Sequence, residues 1–174
     1  LNQKALDIRR ATLGEDHPDT ASAYGNLGGT FGDLGKHDKA LELNQKALDI
    51  RRATLGEDHP YTASAYGNLG TAYYILGKYA EALKMKQKAH QILKISVGIS
   101  HETTRNWAID IAMCLGRLNR LEESRAVLNE AVYSLPVTHP IYKRAQKFSK
   151  ELQRRKNQRG SRFTPPKARR KKKR

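Results

Sequence analysis

The chain of 174 residues holds one cysteine, one tryptophan and two methionines. A lone cysteine, Cys114, excludes an intramolecular disulfide framework and any zinc site built on several thiolates. No apolar run approaches the ~20 residues that a membrane-crossing helix needs. Sustained alternation of apolar and polar residues is missing too, so strands are not expected. The first residue is Leu1 rather than Met, which points to a fragment or a processed product. A missing leader therefore says nothing about secretion.

What the chain has in excess is positive charge: 33 Lys+Arg against 17 Asp+Glu, a formal net charge of +16. The excess is not spread evenly. Residues 1–142 hold 17 Lys+Arg and 16 Asp+Glu, whereas residues 143–174 hold 16 Lys+Arg and only Glu151. The body is near neutral, and the pI of about 10.1 describes the C-terminal end.

Internal repetition dominates the rest. The segment LNQKALDIRRATLGEDHP stands at Leu1–Pro18 and recurs unchanged at Leu43–Pro60, a period of 42 residues. The stretches that follow share TASAYGNLG, LGK and the pair Ala-Leu. A third, eroded copy begins at Met85 and keeps QKA, Ile92, Gly98, His101, Thr104, Leu118 and Glu123 in place. A fourth, shortened unit has NEA at Asn129–Ala131 and His139-Pro140 four residues early.

Each period reads as two helices. Pro18 and Pro60 suit a first helical turn, where a missing N–H costs nothing. Tyr24, Leu27, Gly28 and Phe31 then fall at i, i+3, i+4 and i+7 and share one face, as do Tyr66, Leu69, Gly70 and Tyr73. Leu34-Gly35-Lys36 and Leu76-Gly77-Lys78 end these helices, because glycine readily takes the left-handed conformation beyond a C-terminus. Ala40, Leu41, Leu43, Ala47, Leu48 and Ile50 give the second helix a broad apolar face, and it stops at Gly56. The last helix, Ile141 to about Asn157, sets Ile141, Ala145, Phe148 and Leu152 in one stripe. Its other face carries Lys143, Arg144, Lys147, Lys150, Arg154 and Arg155, which suits the soluble end of a stack.

The pattern Tyr24-x2-Leu27-Gly28-x2-Phe31-x8-Ala40-x6-Ala47 resembles the tetratricopeptide repeat. Tyr66, Leu69, Gly70, Tyr73, Ala82 and Ala89 repeat it, and Ala108, Ile111, Ala112, Leu115, Ser124 and Ala131 follow it loosely. The 42-residue period and the phrase G-E-D-H-P-x-T-A look like the long-linker variety found in kinesin light chains and related scaffolds. This resemblance covers about residues 1–135. It implies an all-α, right-handed superhelical solenoid of antiparallel helix pairs. The units expected are a half repeat at 1–13 and pairs at about 18–55, 60–97 and 101–134. A basic capping helix at 139–157 and a disordered basic tail at 158–174 complete the expectation.

The same resemblance implies a protein-interaction scaffold whose first helices line a concave groove for a peptide or partner protein. Ser22, Asn26, Gly29 and Asp33 lie opposite the packing stripe, matched by Ser64, Asn68, Thr71 and Ile75, then by Asn106, Asp110, Met113 and Arg117. An Asn in the Tyr-x-Asn position of such repeats bonds the backbone of a bound peptide; Asn26 and Asn68 match it, and Asp110 does not. An amide both donates and accepts, which suits that task. The alternative is that both amides simply face water. Ser22, Asn26, Ser64, Asn68, Thr71 and Tyr74 form the candidate groove set.

Other chemistries are poorly served. Gly25, Gly28, Gly29, Gly32 and Gly35 crowd one stretch, but no strand precedes them and the dinucleotide spacing is absent. His17, His59, His101 and His139 recur at steps of 42, 42 and 38, which sets them apart along a stack. They fit helix starts in the inter-repeat turns better than a metal. Cys114 sits beside Met113 and Leu115 as a packing residue. No catalytic residue, cofactor, metal or small-molecule substrate is expected.

The C-terminal end is the other informative segment. Gly160 to Pro166 breaks the helix, and Lys167, Arg169, Arg170, Lys171, Lys172, Lys173 and Arg174 follow. Like charges at that density resist compaction. Nucleic acid, acidic lipid or an import receptor are the partners such a tail would take. A cytoplasmic location is expected, with nuclear import through the tail as the alternative.

Glycine inside a helix costs up to ~1 kcal/mol relative to alanine. The first helix pair, with Gly25, Gly28, Gly29 and Gly32, is therefore expected to be the softest. Hydrogen exchange in that pair should outpace that in helix 60–76; equal rates would refute this.

Overall fold

A computed structural model describes residues 1–98 and 100–160. These residues form eight helices: α1 (Asn2–Leu13), α2 (Pro18–Asp33), α3 (His37–Leu55), α4 (Pro60–Ile75), α5 (Tyr79–Ser96), α6 (Glu102–Arg117), α7 (Leu121–Val132) and α8 (Pro140–Gly160). There is no strand among them. Helix α8 runs on to Gly160, past the expected end at 157, because nothing between Asn157 and Gly160 interrupts it. The tail expected to be disordered lies from Ser161 onward outside the described residues.

Each helix packs on its neighbours in the chain, and α2 on α4 and α6 on α8 meet along one side. The chain is an all-α solenoid. Its core is a row of four clusters. Leu6 of α1 joins Tyr24 and Leu27 of α2 and Leu43, Ala47 and Ile50 of α3. Leu48 of α3 then joins Tyr66 and Leu69 of α4 with Ile92 and Leu93 of α5. Leu83 of α5 meets Ile111, Cys114 and Leu115 of α6, and α6, α7 and α8 close the row through Ile109, Leu128, Ile141, Phe148 and Leu152. Cys114 is fully buried, and that burial pushes its thiol up to about 11. It packs.

The turns before α2 and α4 are built identically because their sequence is identical. Gly14 and Gly56 take φ of +90° and +87°, a conformation side chains resist. Their carbonyls accept from the hydroxyls of Thr20 and Thr62, each at 2.8 Å. His17, His59, His101 and His139 each accept at Nδ1 from the backbone N–H two residues on, at 3.1, 3.1, 3.3 and 3.2 Å. These bonds cap the starts of α2, α4, α6 and α8 and require the ring proton on Nε2. Within the pairs, Gly35 and Gly77 take φ of +73° and +75°, and Asn119 fills the same place at +65°.

A carboxylate then ties each of the first two long turns to the helix after it. Tyr24 donates to Glu15, which Arg10 also holds. Tyr66 donates to Glu57 at 2.7 Å, with Arg52 at 2.8 Å and Lys88 at 3.0 Å on the same carboxylate. Burial and the bond to Glu57 push the Tyr66 hydroxyl up to about 12. The bond from Tyr66, helped by Lys88 and Arg52, pulls the Glu57 carboxyl down to about 2.

A carboxyl held that low favours folding above its ordinary value of 4.5. The contribution is lost as pH falls from about 4.5 towards about 2. Glu57→Gln should flatten the acid limb of the melting temperature against pH over that window, and an acid limb as steep as the native one would refute the assignment.

Candidate functional site

The first helices of the pairs, α2, α4, α6 and α8, line the inner side of the stack, and two adjoining hollows lie along it. The larger, about 510 Å³, sits over α2, with α4 as its far wall. Its floor has almost no side chains, because Gly25, Gly28, Gly29 and Gly32 face it. Asn26 and Asn68 stand exposed on its walls, with Asp33, Thr71 and Ile75 beside them. Asn2 and Asn44 reach in from the second helices α1 and α3. Asn2 Nδ2 donates to Thr30 Oγ1 at 2.6 Å. Asn44 is only 5% exposed, and its Oδ1 has no donor.

Not all these glycines answer the same need. A Cβ on Gly28 would come within 2.9 Å of Asn44 Oδ1, so this glycine makes room for the amide. A Cβ on Gly29 would meet nothing within 4 Å. On α4, a Cβ on Gly67 would lie 2.1 Å from the ring of Trp107, which sits against that bare backbone.

The smaller hollow, about 200 Å³, is lined by Thr71, Tyr74, Lys86, Asp110, Met113 and Arg144. Charge fills it. Lys86, 3% exposed, places Nζ 2.9 Å from Asp110 Oδ2 and 3.0 Å from Thr71 Oγ1, with the Trp107 ring 4.9 Å away. Arg144 of α8 reaches across to the other carboxylate oxygen at 2.5 Å and to Asn106 Oδ1 at 3.0 Å. Arg117 donates to the Tyr74 hydroxyl at 3.1 Å. Two cations on one half-buried carboxylate hold this end of the inner face in a fixed arrangement, since the buried ammonium of Lys86 would be costly if left unpaired.

The repeat period relates the two hollows. Position 44 becomes 86 and position 68 becomes 110 one period later, so the pair Asn44 and Asn68 is replaced by Lys86 and Asp110. An open amide-lined groove thereby becomes a closed ion pair.

Comparison with known proteins agrees with this geometry. The tetratricopeptide repeat model matches residues 1–53, 30–95 and 73–132. The chain belongs to the tetratricopeptide repeat family. No curated protein matches it. Among solved structures, the nearly identical TPR-like repeats of a candidate kinesin light chain from Podosopora anserina superpose with a TM-score of 0.79 at 20% identity, covering 92% of this chain and 78% of that one. BtubC (BKLC) from P. vanneervenii gives a TM-score of 0.71 at 19% identity, covering 97% and 75%. MamA gives 0.54 at 14%, covering 90% and 96%. At these identities the likeness is one of fold: TPR arrays of the kinesin-light-chain-like kind. TPR proteins bind peptides or partner proteins, and the TPR fold is a non-enzymatic scaffold. No helix among the described residues is long and apolar enough to cross a membrane.

Of the six candidate groove residues, Asn26, Asn68 and Thr71 line the larger hollow, and Thr71 and Tyr74 line the smaller. Ser22 and Ser64 line neither. Each donates to a first-turn carbonyl, of Pro18 at 3.1 Å and of Pro60 at 3.2 Å, and Ser22 also accepts from Arg51 at 3.0 Å. The sequence reading missed Asn2, Asn44, Lys86 and Arg144. The joint change at 86 and 110 within the repeat was the available signal.

The two glycine environments give opposite expectations. Gly29→Ala should raise stability by up to ~1 kcal/mol through helix propensity. Gly67→Ala should lower it by about 1–3 kcal/mol, because Trp107 must move. Chemical denaturation of both variants checks this, and a shared sign would refute it.

Proposed function

We propose that this TPR array is a scaffold that holds an extended peptide in the larger hollow, along the glycine floor between α2 and α4. Asn26 and Asn68 would each pair with a peptide unit, donating to its carbonyl and accepting from its N–H. Glycines at 25, 29 and 32 leave room for a peptide side chain close to the helix backbone.

The observation that carries this reading is the pair of exposed amides Asn26 and Asn68, which line one open hollow together with Gly25, Gly29 and Gly32. The smaller hollow is a poorer seat, since Arg144 and Lys86 already fill it. The groove carries no nucleophile paired with a base, which supports a binding role without catalysis.

Peptides selected on the intact chain from a random phage-displayed library test the reading. Asn68→Ala and Asn26→Ala should each weaken the selected peptides about 2- to 10-fold, as expected for one hydrogen bond. The melting temperature should barely move, because both side chains are exposed. Ser64→Ala, which touches only its own helix turn, should leave affinity unchanged. Peptides bound equally well by both Asn variants would overturn the groove assignment.

A further inference from the structure

Helix α8 carries two parallel rows of side chains. Ile141, Ala145, Phe148 and Leu152 follow steps of four, three and four residues and are buried against α6 and α7. Lys143, Lys147, Lys150 and Arg154 follow the same steps two residues later, so they run along the opposite side, and all four are exposed. The row spans ~16 Å at 1.5 Å per residue. Among the described residues none of the four makes a salt bridge. Their neighbours do: Arg144 pairs with Asp110, Arg155 with Glu151 and Lys156 with Glu122.

Solubility does not account for this row. A polar outer face suffices at the end of a repeat stack. Opposite charges three or four residues apart would stabilise the helix, and like charges at that spacing destabilise it. The row itself is all of one sign, the neighbouring Glu151 is taken up by Arg155, and the first 142 residues of the array are nearly neutral. The row also leads directly, in sequence, into the basic residues beyond Gly160.

We propose that this row on α8 docks the phosphate backbone of double-stranded nucleic acid. A duplex carries one negative charge per ~1.7 Å of axis, so a ~16 Å row faces a dense, regular line of phosphates. The exposed side of α8 has no aromatic residue for base stacking and no apolar residue to enter a bilayer. It therefore reads charge and not sequence, and it favours a phosphate backbone over a lipid surface. An acidic polypeptide would first have to be ordered to match a row fixed on a helix, whereas a duplex is already rigid. This site is separate from the groove and does not depend on it.

Fluorescence anisotropy with a labelled 20-base-pair duplex of arbitrary sequence, over ~50–200 mM salt, tests the proposal on the full chain. The fourfold variant Lys143→Gln, Lys147→Gln, Lys150→Gln, Arg154→Gln keeps the residues beyond Gly160. Its slope of log affinity against log salt should be shallower by about 3–4, since each neutralised phosphate contributes about 0.9. Its melting temperature should be unchanged or higher, because self-repulsion is removed. The double variant Lys147→Gln, Lys150→Gln should lose about half as much slope. A slope unchanged in both variants would overturn the site and assign binding to the segment beyond Gly160. Poly-glutamate or anionic vesicles bound as tightly as the duplex at equal salt would overturn the choice of partner.

Discussion

No helix of this protein can bury its apolar surface within its own pair. Helix α3 shows the constraint most clearly: Leu43, Ala47 and Ile50 are covered by α2, while Leu48 on the same helix is covered by α4. Every second helix is thus shared between two neighbours, and stability becomes a sum of contacts between adjacent elements. The inner face follows from that sharing. Once the second helices are held on both sides, the first helices lie next to one another, and the side chains that do no packing face a common hollow. Helix α1 shows the sharing cut short. Ile8, the counterpart of buried Ile50, is 61% exposed because no helix among the described residues covers it as α2 covers α3.

The turns set how the pairs meet, and the third unit meets its neighbours by different means. Where Glu15 and Glu57 hold Tyr24 and Tyr66, the third copy has Ile99 and Ala108, so that bond is gone. The cap from His101 survives. Trp107 instead lies against Gly67, Lys86 reaches Asp110, and Arg105 donates to the carbonyls of Ala131 and Tyr133 at the end of α7. The charged bond from Arg105 also meets the negative end of that helix dipole. One type of link between units has been exchanged for another, and the solenoid continues. The consequence is functional: the groove is open over α2 and α4 and closed by charge at α6 and α8.

Much of this was legible in the residues. The identical segments Leu1–Pro18 and Leu43–Pro60 announced the period, and Gly35, Gly77, Pro18 and Pro60 marked helix ends from backbone chemistry alone. The histidines could be placed at helix starts because their spacing followed the repeat. Half of the groove was legible too, since Asn26, Asn68 and Thr71 follow from helical periodicity. Ser22 and Ser64 fall on the same side by periodicity, yet their short hydroxyls bond the preceding turn of the helix instead of reaching the hollow. Asn44 and Lys86 were hidden because they belong to second helices, whose reach into the groove depends on how closely a glycine lets them approach.

Sequence alone therefore determined the number and type of elements, the repeat and the segregation of charge, because these depend on neighbours within a turn or a period. Only the tertiary structure decided which polar groups share a space. Lys86, Asp110 and Arg144 come from three different helices, α5, α6 and α8, and their meeting depends on α6 packing against both of the others. The same holds for Asn44 and its unsatisfied oxygen: an amide on a helix face is ordinary until a bare stretch of another helix, at Gly28, lets it sink into the floor of a groove.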